Sequence, residues 1–190
     1  MSRIKTTEEL YQAMCLDGIE SVEALENAYA EIADALINDF GIKKGKEFYH
    51  FVELEFYHNT IDDTIVYPRE ADALQYFFHK SGVDLTFKSD KKKYGGILVR
   101  AIRNGDKFTN GPYNVVDKLF DVFDARELPK SNYPLIVQKI ETNRVTPVQS
   151  WRFHIDSDKK YRFSIPKEMW TNHNGYQAYP WDYLGNLKKK

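Results

Sequence analysis

Apolar side chains recur at helical spacing near the start of the chain. Thr6, followed three residues later by Glu9, has the pattern of a capping box, in which two side chains satisfy the first backbone N–H groups of a helix. The pattern predicts a short helix from Thr7 to about Leu16. Gly18 is expected to end it.

A second helix is predicted to begin after Ser21. Its apolar residues are spaced four, three and four positions apart, as one buried face of a helix requires: Leu25, Tyr29, Ile32 and Leu36. Gly41 is expected to supply the left-handed residue beyond the end of this helix, because glycine adopts that conformation without a steric penalty.

From Lys46 to Tyr57 the pattern changes to a period of two, which predicts a β-strand. One face is expected to turn toward the core and carries Phe48, Val52, Leu54 and Phe56. The other face carries Tyr49, Phe51, Glu53, Glu55 and Tyr57. Because this second face mixes rings with two carboxylates, we expect it to look either onto solvent or into a polar cleft.

The remaining pattern predicts mainly strands. Gly82 to Lys88 and Gly95 to Ile102 are predicted to be strands joined by a charged turn, whereas Ala71 to His79 fits either a helical turn or a strand. The segment Asn110-Gly111-Pro112 predicts the start of a third helix, since proline is tolerated in a first turn. Later strands are predicted at Tyr133 to Glu141, Gln149 to Ile155 and Lys160 to Ile165.

Helices followed by many strands, with no internal repeat, predict a single α+β domain over residues 1–190, with N-terminal helices and a mostly antiparallel, curved sheet. The longest apolar runs fall far short of the roughly 18 residues that a membrane span requires. The first residues also lack the apolar region of a signal peptide. Because Cys15 is the only cysteine, an internal disulfide is excluded, which fits the reducing cytoplasm. We also expect a monomer.

The net charge is −1, from 27 basic and 28 acidic residues. A chain this close to neutrality is not typical of a protein with a broad phosphate-binding face, so charge gives a DNA partner little support. The charge is also unevenly distributed. Residues 20–40 hold six acids and no Lys or Arg, while residues 88–107 hold seven bases and two acids.

Common catalytic motifs are absent: the sequence has no phosphate-binding glycine loop, Rossmann fingerprint, nucleophile elbow or paired-cysteine motif. His154 and Asp156 are too short a pattern for a metal site. Cys15 has apolar helical neighbours and is expected to be a core thiol. No metal or other cofactor is predicted.

Two carboxylates two residues apart are the first chemical feature. Glu53 and Glu55 are expected to point the same way, about 7 Å apart, with Tyr57 next along that face. A carboxylate among rings is partly desolvated, which suits a general base. Glutamates that face solvent from an edge strand would have the same pattern.

An arginine inside an apolar strand is the second feature. Alternation places Leu98 and Ile102 on the same face as Arg100. Burying an unpaired arginine is prohibitively costly, so this side chain must either face water or meet an anion. Glu55 is one choice of partner, and a purely structural ion pair is another.

Short segments in a particular order suggest a family. They are Asp34-Ala35-Leu36-Ile37 ahead of Gly41, then Glu53-Leu54-Glu55-Phe56-Tyr57, Leu98-Val99-Arg100-Ala101-Ile102, Asn110-Gly111-Pro112 and Trp151-Arg152-Phe153. Over about residues 30–156 this order resembles the alkyladenine (3-methyladenine) DNA glycosylase family of monofunctional base-excision enzymes. The resemblance implies a glycosylase-like domain that hydrolyses the N-glycosidic bond of an alkylated purine, in DNA or in a smaller nucleic-acid substrate. It implies no metal and no nicotinamide.

The resemblance also implies roles for single residues. By position, Glu55 is the general base that deprotonates the attacking water, and Arg100 helps to hold that water. Tyr57 is expected to stack on the flipped base, and Tyr76 falls where the family has its second stacking tyrosine. Aromatic walls recover stacking that is lost when a base leaves the duplex, and ring faces attract alkylated bases that carry a positive charge.

The chain departs from the family at three substrate-binding positions. By the resemblance, Tyr67 occupies the position of the family's third stacking residue, a histidine. His79 occupies the position of its intercalating tyrosine, and Thr86 that of its base-discriminating asparagine. His79 also belongs to a secondary polar cluster with Ser81 and Asp84, although strand alternation would put those last two on opposite faces.

Two alternatives to hydrolysis remain open at this point. The first is a non-catalytic or altered-function relative that binds a small ligand or a protein partner in the same aromatic pocket. The neutral charge and the loss of the intercalating tyrosine, at whose position His79 stands, favour it. The second is a structural protein in which Glu55 and Arg100 form an internal ion pair.

Overall fold

The computed structural model describes residues 4–61, 65–121, 132–139, 143–152, 155 and 159–170. Three α-helices lie in these ranges: α1 (Thr7–Cys15), α2 (Val22–Asn38) and α3 (Pro112–Leu119). The same ranges hold nine strands: β1 (Phe40–Lys44), β2 (Glu47–His58), β3 (Tyr76–His79), β4 (Gly82–Thr86), β5 (Gly95–Asn104), β6 (Lys107–Asn110), β7 (Leu135–Gln138), β8 (Val148–Ser150) and β9 (Arg162–Ser164).

The strands form one curled sheet in which every described pairing is antiparallel. The main path runs β3-β4-β5-β2-β1-β7, with β6 on β5, β9 on β2 and β8 on β9. Strand β2 lies at the centre: β5 pairs along one edge, while β1 and β9 share the other. The predicted α+β class with a mostly antiparallel, curved sheet is confirmed.

Both predicted N-terminal helices form, and their caps are those that the sequence indicated. The Thr6 hydroxyl oxygen accepts the Glu9 N–H at 3.1 Å, and the Glu9 carboxylate accepts the Thr6 N–H at 2.9 Å. At the start of α2, the Ser21 hydroxyl oxygen accepts the Ala24 N–H at 3.1 Å. These bonds satisfy backbone donors that a helix leaves without a partner at its first turn.

The two glycines expected to end these helices act differently. Leu16, with φ 55°, is the left-handed residue after α1, and Gly18 follows with φ 73°. Helix α2 ends at Asp39 in a right-handed conformation, and Gly41 already belongs to β1. Gly41 is required by the lack of space for a side chain, because a Cβ would lie only 2.7 Å from the carbonyl oxygen of Tyr49.

The core lies between α2 and one face of the sheet. All four residues predicted for the apolar face of α2 are buried: Leu25, Tyr29, Ile32 and Leu36. The Tyr29 ring packs against Phe56 of β2, with ring centroids 4.8 Å apart. Val52 and Leu54 are also buried as predicted, whereas Phe48 is half-buried.

The second face of β2 is buried as well. Phe51 belongs to the hydrophobic core, and Glu53 and Glu55 are each 1% exposed. The pairing of β2 with β5 shifts register between Phe51 and Leu54, an irregularity that bends a strand and re-aims its side chains. The solvent-facing interpretation of this face is therefore wrong.

Strands β1 and β6 have no counterpart in the sequence-based prediction. Only Asp39 lies between the last residue of α2 and the first residue of β1, so no turn signal separates the two. Strand β6 is four residues long and mostly polar, and among the described strands it pairs with β5 alone. Residues 71–79, which fitted either a helical turn or a strand, form a strand only over Tyr76–His79. The aromatic residues that follow Trp170 lie outside the described residues.

Within the described ranges, no helix combines the length and the apolar character that crossing a membrane requires. Cys15 lies in the core at 8% exposure, as predicted for a core thiol. Burial raises the pKa of the Cys15 thiol, which favours the protonated form over the reactive thiolate.

His50 predicts how stability responds to acid. It pairs with Arg103 across β2 and β5, and burial together with the nearby Lys139 and Arg103 cations lowers the pKa of His50 from 6.5 to about 4. Between these values the unfolded chain binds a proton that the folded chain does not, so acidification destabilises the fold. The test measures unfolding free energy by urea denaturation between neutral pH and about pH 4. Over this range we expect it to fall less steeply for His50→Gln than for the unmodified chain. Equal slopes in both proteins would contradict this assignment.

Candidate functional site

A cleft of about 870 Å³ opens on the face of the sheet that carries Glu55. Its lining comes from strands β2, β4 and β5, from residues 65–69, from His79 and the turn that follows it, from the start of α3, and from Ile155. Pockets that hold small molecules commonly measure roughly 300 to 1,000 Å³. The cleft is therefore large enough for a nucleoside.

The strand register sets the arrangement of the cleft floor. Leu98 of β5 pairs with Glu55 of β2 on one side and with Asp84 of β4 on the other. Paired residues point to the same face and neighbouring strands lie about 4.8 Å apart, so the Cα atoms of the two acids are about 10 Å apart. The floor thus carries a carboxylate on each side of a leucine.

Arg100 holds the two carboxylates of β2 together. Its Nε donates to Glu53 Oε1 at 2.8 Å, and its Nη1 donates to Glu55 Oε2 at 3.3 Å. Arg162 of β9 meets the same Glu53 oxygen through Nε at 2.6 Å. The Arg100 side chain is 12% exposed and the two glutamates 2% or less, so the cluster is almost dry. Buried charges persist only when paired in this way.

Tyr57 forms a hydrogen bond to Glu55 through its phenol hydroxyl. Its hydroxyl donates to Glu55 Oε2 at 2.5 Å. Burial, followed by the Glu55 carboxylate, raises the pKa of Tyr57 well above its ordinary value of 10. The phenol therefore keeps its proton, and Glu55 is the acceptor. The Arg152 guanidinium lies over the Tyr57 ring, 4.8 Å from its centroid, and so contacts a face of that ring.

Asp84 forms a second, separate ion-paired cluster. Its Oδ2 accepts from Arg69 Nη1 at 2.8 Å, and its Oδ1 lies 2.9 Å from His79 Nε2. His79 Nδ1 accepts the backbone N–H of Ser81 at 3.2 Å, so Nε2 carries the hydrogen and donates to Asp84. The side chains of Arg69, Asp84 and His79 are 2, 4 and 8% exposed.

Aromatic rings and one glycine position this second cluster. The Arg69 guanidinium lies 4.0 Å from the centroid of the Phe77 ring, and its Nε donates to the carbonyl oxygen of Tyr67 at 3.1 Å. A Cβ on Gly96 would lie 3.0 Å from Arg69 Nη1, so glycine leaves room for the guanidinium. The Tyr67 and His79 rings pack with centroids 4.9 Å apart.

Five of the seven predicted site residues line the cleft: Glu55, Arg100, Tyr57, Tyr67 and His79. The other two do not. Tyr76 packs edge-on against Phe120, with ring centroids 5.2 Å apart, and is absent from the lining. Thr86 is fully buried and donates its hydroxyl to the carbonyl oxygen of Asp72 at 2.5 Å. Tyr76 and Thr86 therefore pack within the fold outside this cleft, and the substrate contacts expected of them stay predictions.

Ser81 and Asp84 both line the cleft, although alternation placed them on opposite faces. Ser81 lies in the turn between β3 and β4, where alternation does not apply. Arg69 was not predicted as a site residue from the sequence, and Asp84 was only a secondary candidate. A signal was present for Asp84, because it lies between Val83 and Leu85 in an apolar strand, as Arg100 does in β5.

The described residues include no group of three or more His, Cys, Asp or Glu side chains that could hold a metal ion. His154 and Asp156 lie outside the described ranges, as does Phe153.

Comparison of the chain with known protein families, with curated proteins and with solved structures found no match. What the chain does must therefore be inferred from the side chains of the cleft.

Replacing Arg100 should unbalance the carboxylate cluster. Arg100→Met removes the cation that pairs with Glu55, while Arg162 still pairs with Glu53. We expect the unfolding free energy, measured by urea denaturation, to fall by about 3 kcal/mol. The matched control is Lys91→Met, which breaks an exposed pair with Glu70 and should cost less than about 1 kcal/mol. Similar losses in both variants would contradict a dry, charge-balanced cluster.

Proposed function

We propose that this chain is a glycosylase-like hydrolase, with a fold related to that of the 3-methyladenine DNA glycosylases, which cleaves the N-glycosidic bond of an alkylated purine. The observation that carries the proposal is the position of Glu55. This buried carboxylate lines a nucleoside-sized cleft and accepts hydrogen bonds from both Arg100 and Tyr57. The order of short segments along the chain supports it independently.

In the proposed reaction Glu55 acts as the general base. Its carboxylate takes a proton from a water molecule while the water oxygen bonds to C1′ of the sugar. The bond between C1′ and the purine nitrogen breaks, and its electron pair stays on the base. An alkylated purine that carries a positive charge leaves as a neutral base, so this step requires no separate proton donor.

The neighbours of Glu55 hold its carboxylate in a fixed orientation. Arg100 and Tyr57 both donate to Oε2, which fixes the carboxylate and stabilises its negative charge. Because Tyr57 keeps its own proton, it cannot replace Glu55 as the base. The rings of Tyr57 and Tyr67 line the same cleft, and ring faces attract a positively charged base.

The alternative is a relative without this activity that binds a small ligand or a protein partner in the same cleft. Charge is the observation that favours it. Arg69 and Arg100 are paired with carboxylates, which leaves Lys80 as the one lining base with no ion pair in the described part of the chain. Duplex binding at physiological salt requires several phosphate contacts.

Glu55→Gln tests the catalytic proposal against a matched control. Glu53 and Glu55 lie on the same strand and both pair with Arg100, but Glu55 lines the cleft and Glu53 does not. With alkylated DNA as substrate, we expect Glu55→Gln to release free base at least about 100-fold more slowly than the unmodified chain. Glu53→Gln should stay within about tenfold of it.

Two results of that assay would reject hydrolysis with Glu55 as the general base. The first is the absence of base release from alkylated DNA by the unmodified, folded chain. The second is equal release by Glu55→Gln and the unmodified chain, which would mean that another group activates water.

Salt dependence separates the two candidate functions. Each neutralised phosphate contributes about −0.9 to the slope of log affinity against log salt. Because Lys80 is the one lining base with no ion pair among the described residues, we expect one or two phosphate contacts and a shallow slope of roughly −1 to −2 for duplex DNA. Fluorescence anisotropy with a labelled duplex measures it. No binding even at low salt would favour the ligand-binding alternative, whereas a slope near −5 would contradict the inference that the cleft bases are already paired.

A further inference from the structure

Asp84 is the second carboxylate of the cleft, and the proposed hydrolysis does not use it. It lies across Leu98 from Glu55, and its side chain is 4% exposed. The contacts of Arg69 and His79 on its two oxygens hold it from both sides. Its orientation is therefore fixed before any ligand arrives.

The remaining hydrogen-bonding capacity of Asp84 is that of an acceptor. A carboxylate offers about four acceptor positions, and each Asp84 oxygen accepts one hydrogen bond, so each can accept another. Two fixed acceptor oxygens side by side complement a ligand edge with two neighbouring N–H donors. A ligand edge of acceptors would meet only repulsion there.

We infer that Asp84 is a specificity-determining residue that selects purines with a 2-amino group. The edge of a 2-amino-6-oxopurine presents N1–H and the 2-amino group side by side, as this carboxylate requires. A 6-oxopurine without that amino group offers one donor, and a 6-aminopurine offers an acceptor at N1. The inference rests on the proposed function, because that function places a purine in the cleft with its sugar at Glu55.

The cleft geometry is compatible with this orientation. The Cα atoms of Glu55 and Asp84 are about 10 Å apart, a span comparable with a purine and a contact at each end. Alkylation at N7 leaves the N1 and 2-amino edge unchanged and adds positive charge to the ring. The Tyr57 and Tyr67 rings, which line the same cleft, favour that charge.

Two nucleosides that differ by one group test the inference. 7-Methylguanosine and 7-methylinosine carry the same positive charge, but the second lacks the 2-amino group. Isothermal titration calorimetry with the full chain, at mildly acidic pH where N1 keeps its hydrogen, should show at least about tenfold tighter binding of 7-methylguanosine.

Carboxamide variants assign the preference to a residue. In Asp84→Asn one acceptor oxygen becomes a donor, so the affinity ratio of the two nucleosides should fall to about one. Glu70→Gln makes the same change at an exposed carboxylate outside the cleft lining and should keep the ratio of the unmodified chain. A preference that persists in folded Asp84→Asn would overturn the inference.

The comparison of nucleosides on the unmodified chain requires no variant, so a folding defect in Asp84→Asn leaves the test intact. Equal affinities, or no binding of either nucleoside, would overturn the inference. Base release from alkylated DNA together with equal affinities would leave the proposed hydrolysis standing and reject the role of Asp84. Preference for 7-methylguanosine without any base release would reject hydrolysis and retain the recognition.

Discussion

Two carboxylates buried two residues apart on one strand can persist only with cations beside them. Glu53 and Glu55 are each 1% exposed, and Arg100 and Arg162 supply those cations from β5 and β9. Removing an ion from water costs several kcal/mol unless it is paired. Strands β2, β5 and β9 must therefore assemble in register before the floor of the cleft exists, so the site and the centre of the sheet form together.

The same constraint shapes what the cleft can recognise. Glu55 and Asp84 each pair with an arginine, Arg100 and Arg69 respectively, so both ends of the floor carry a paired carboxylate before a ligand binds. Net charge then contributes little to recognition. Selectivity must come from fixed hydrogen-bonding groups and from ring faces such as those of Tyr57 and Tyr67. This agrees with a chain of net charge −1.

Local signals predicted the helices and the site strand well, because caps and side-chain periodicity act over a few residues. An arginine in an apolar strand also predicted correctly that Arg100 has an anionic partner. Failures arose where position depends on distant residues. Glu53 meets Arg162 from a strand more than 100 residues later, and Tyr76 turns away from the cleft because Phe120 receives its ring. No pattern within one segment contains that information.

A crystal structure of the chain with a positively charged azasugar, a mimic of the sugar as its bond to the base breaks, would test the role of Glu55 most directly. We expect the azasugar ring in the cleft, with a water molecule between its ring and the Glu55 carboxylate, and with Arg100 and Tyr57 still donating to that carboxylate. An azasugar bound elsewhere, or a Glu55 side chain turned away from the cleft, would contradict hydrolysis by this residue.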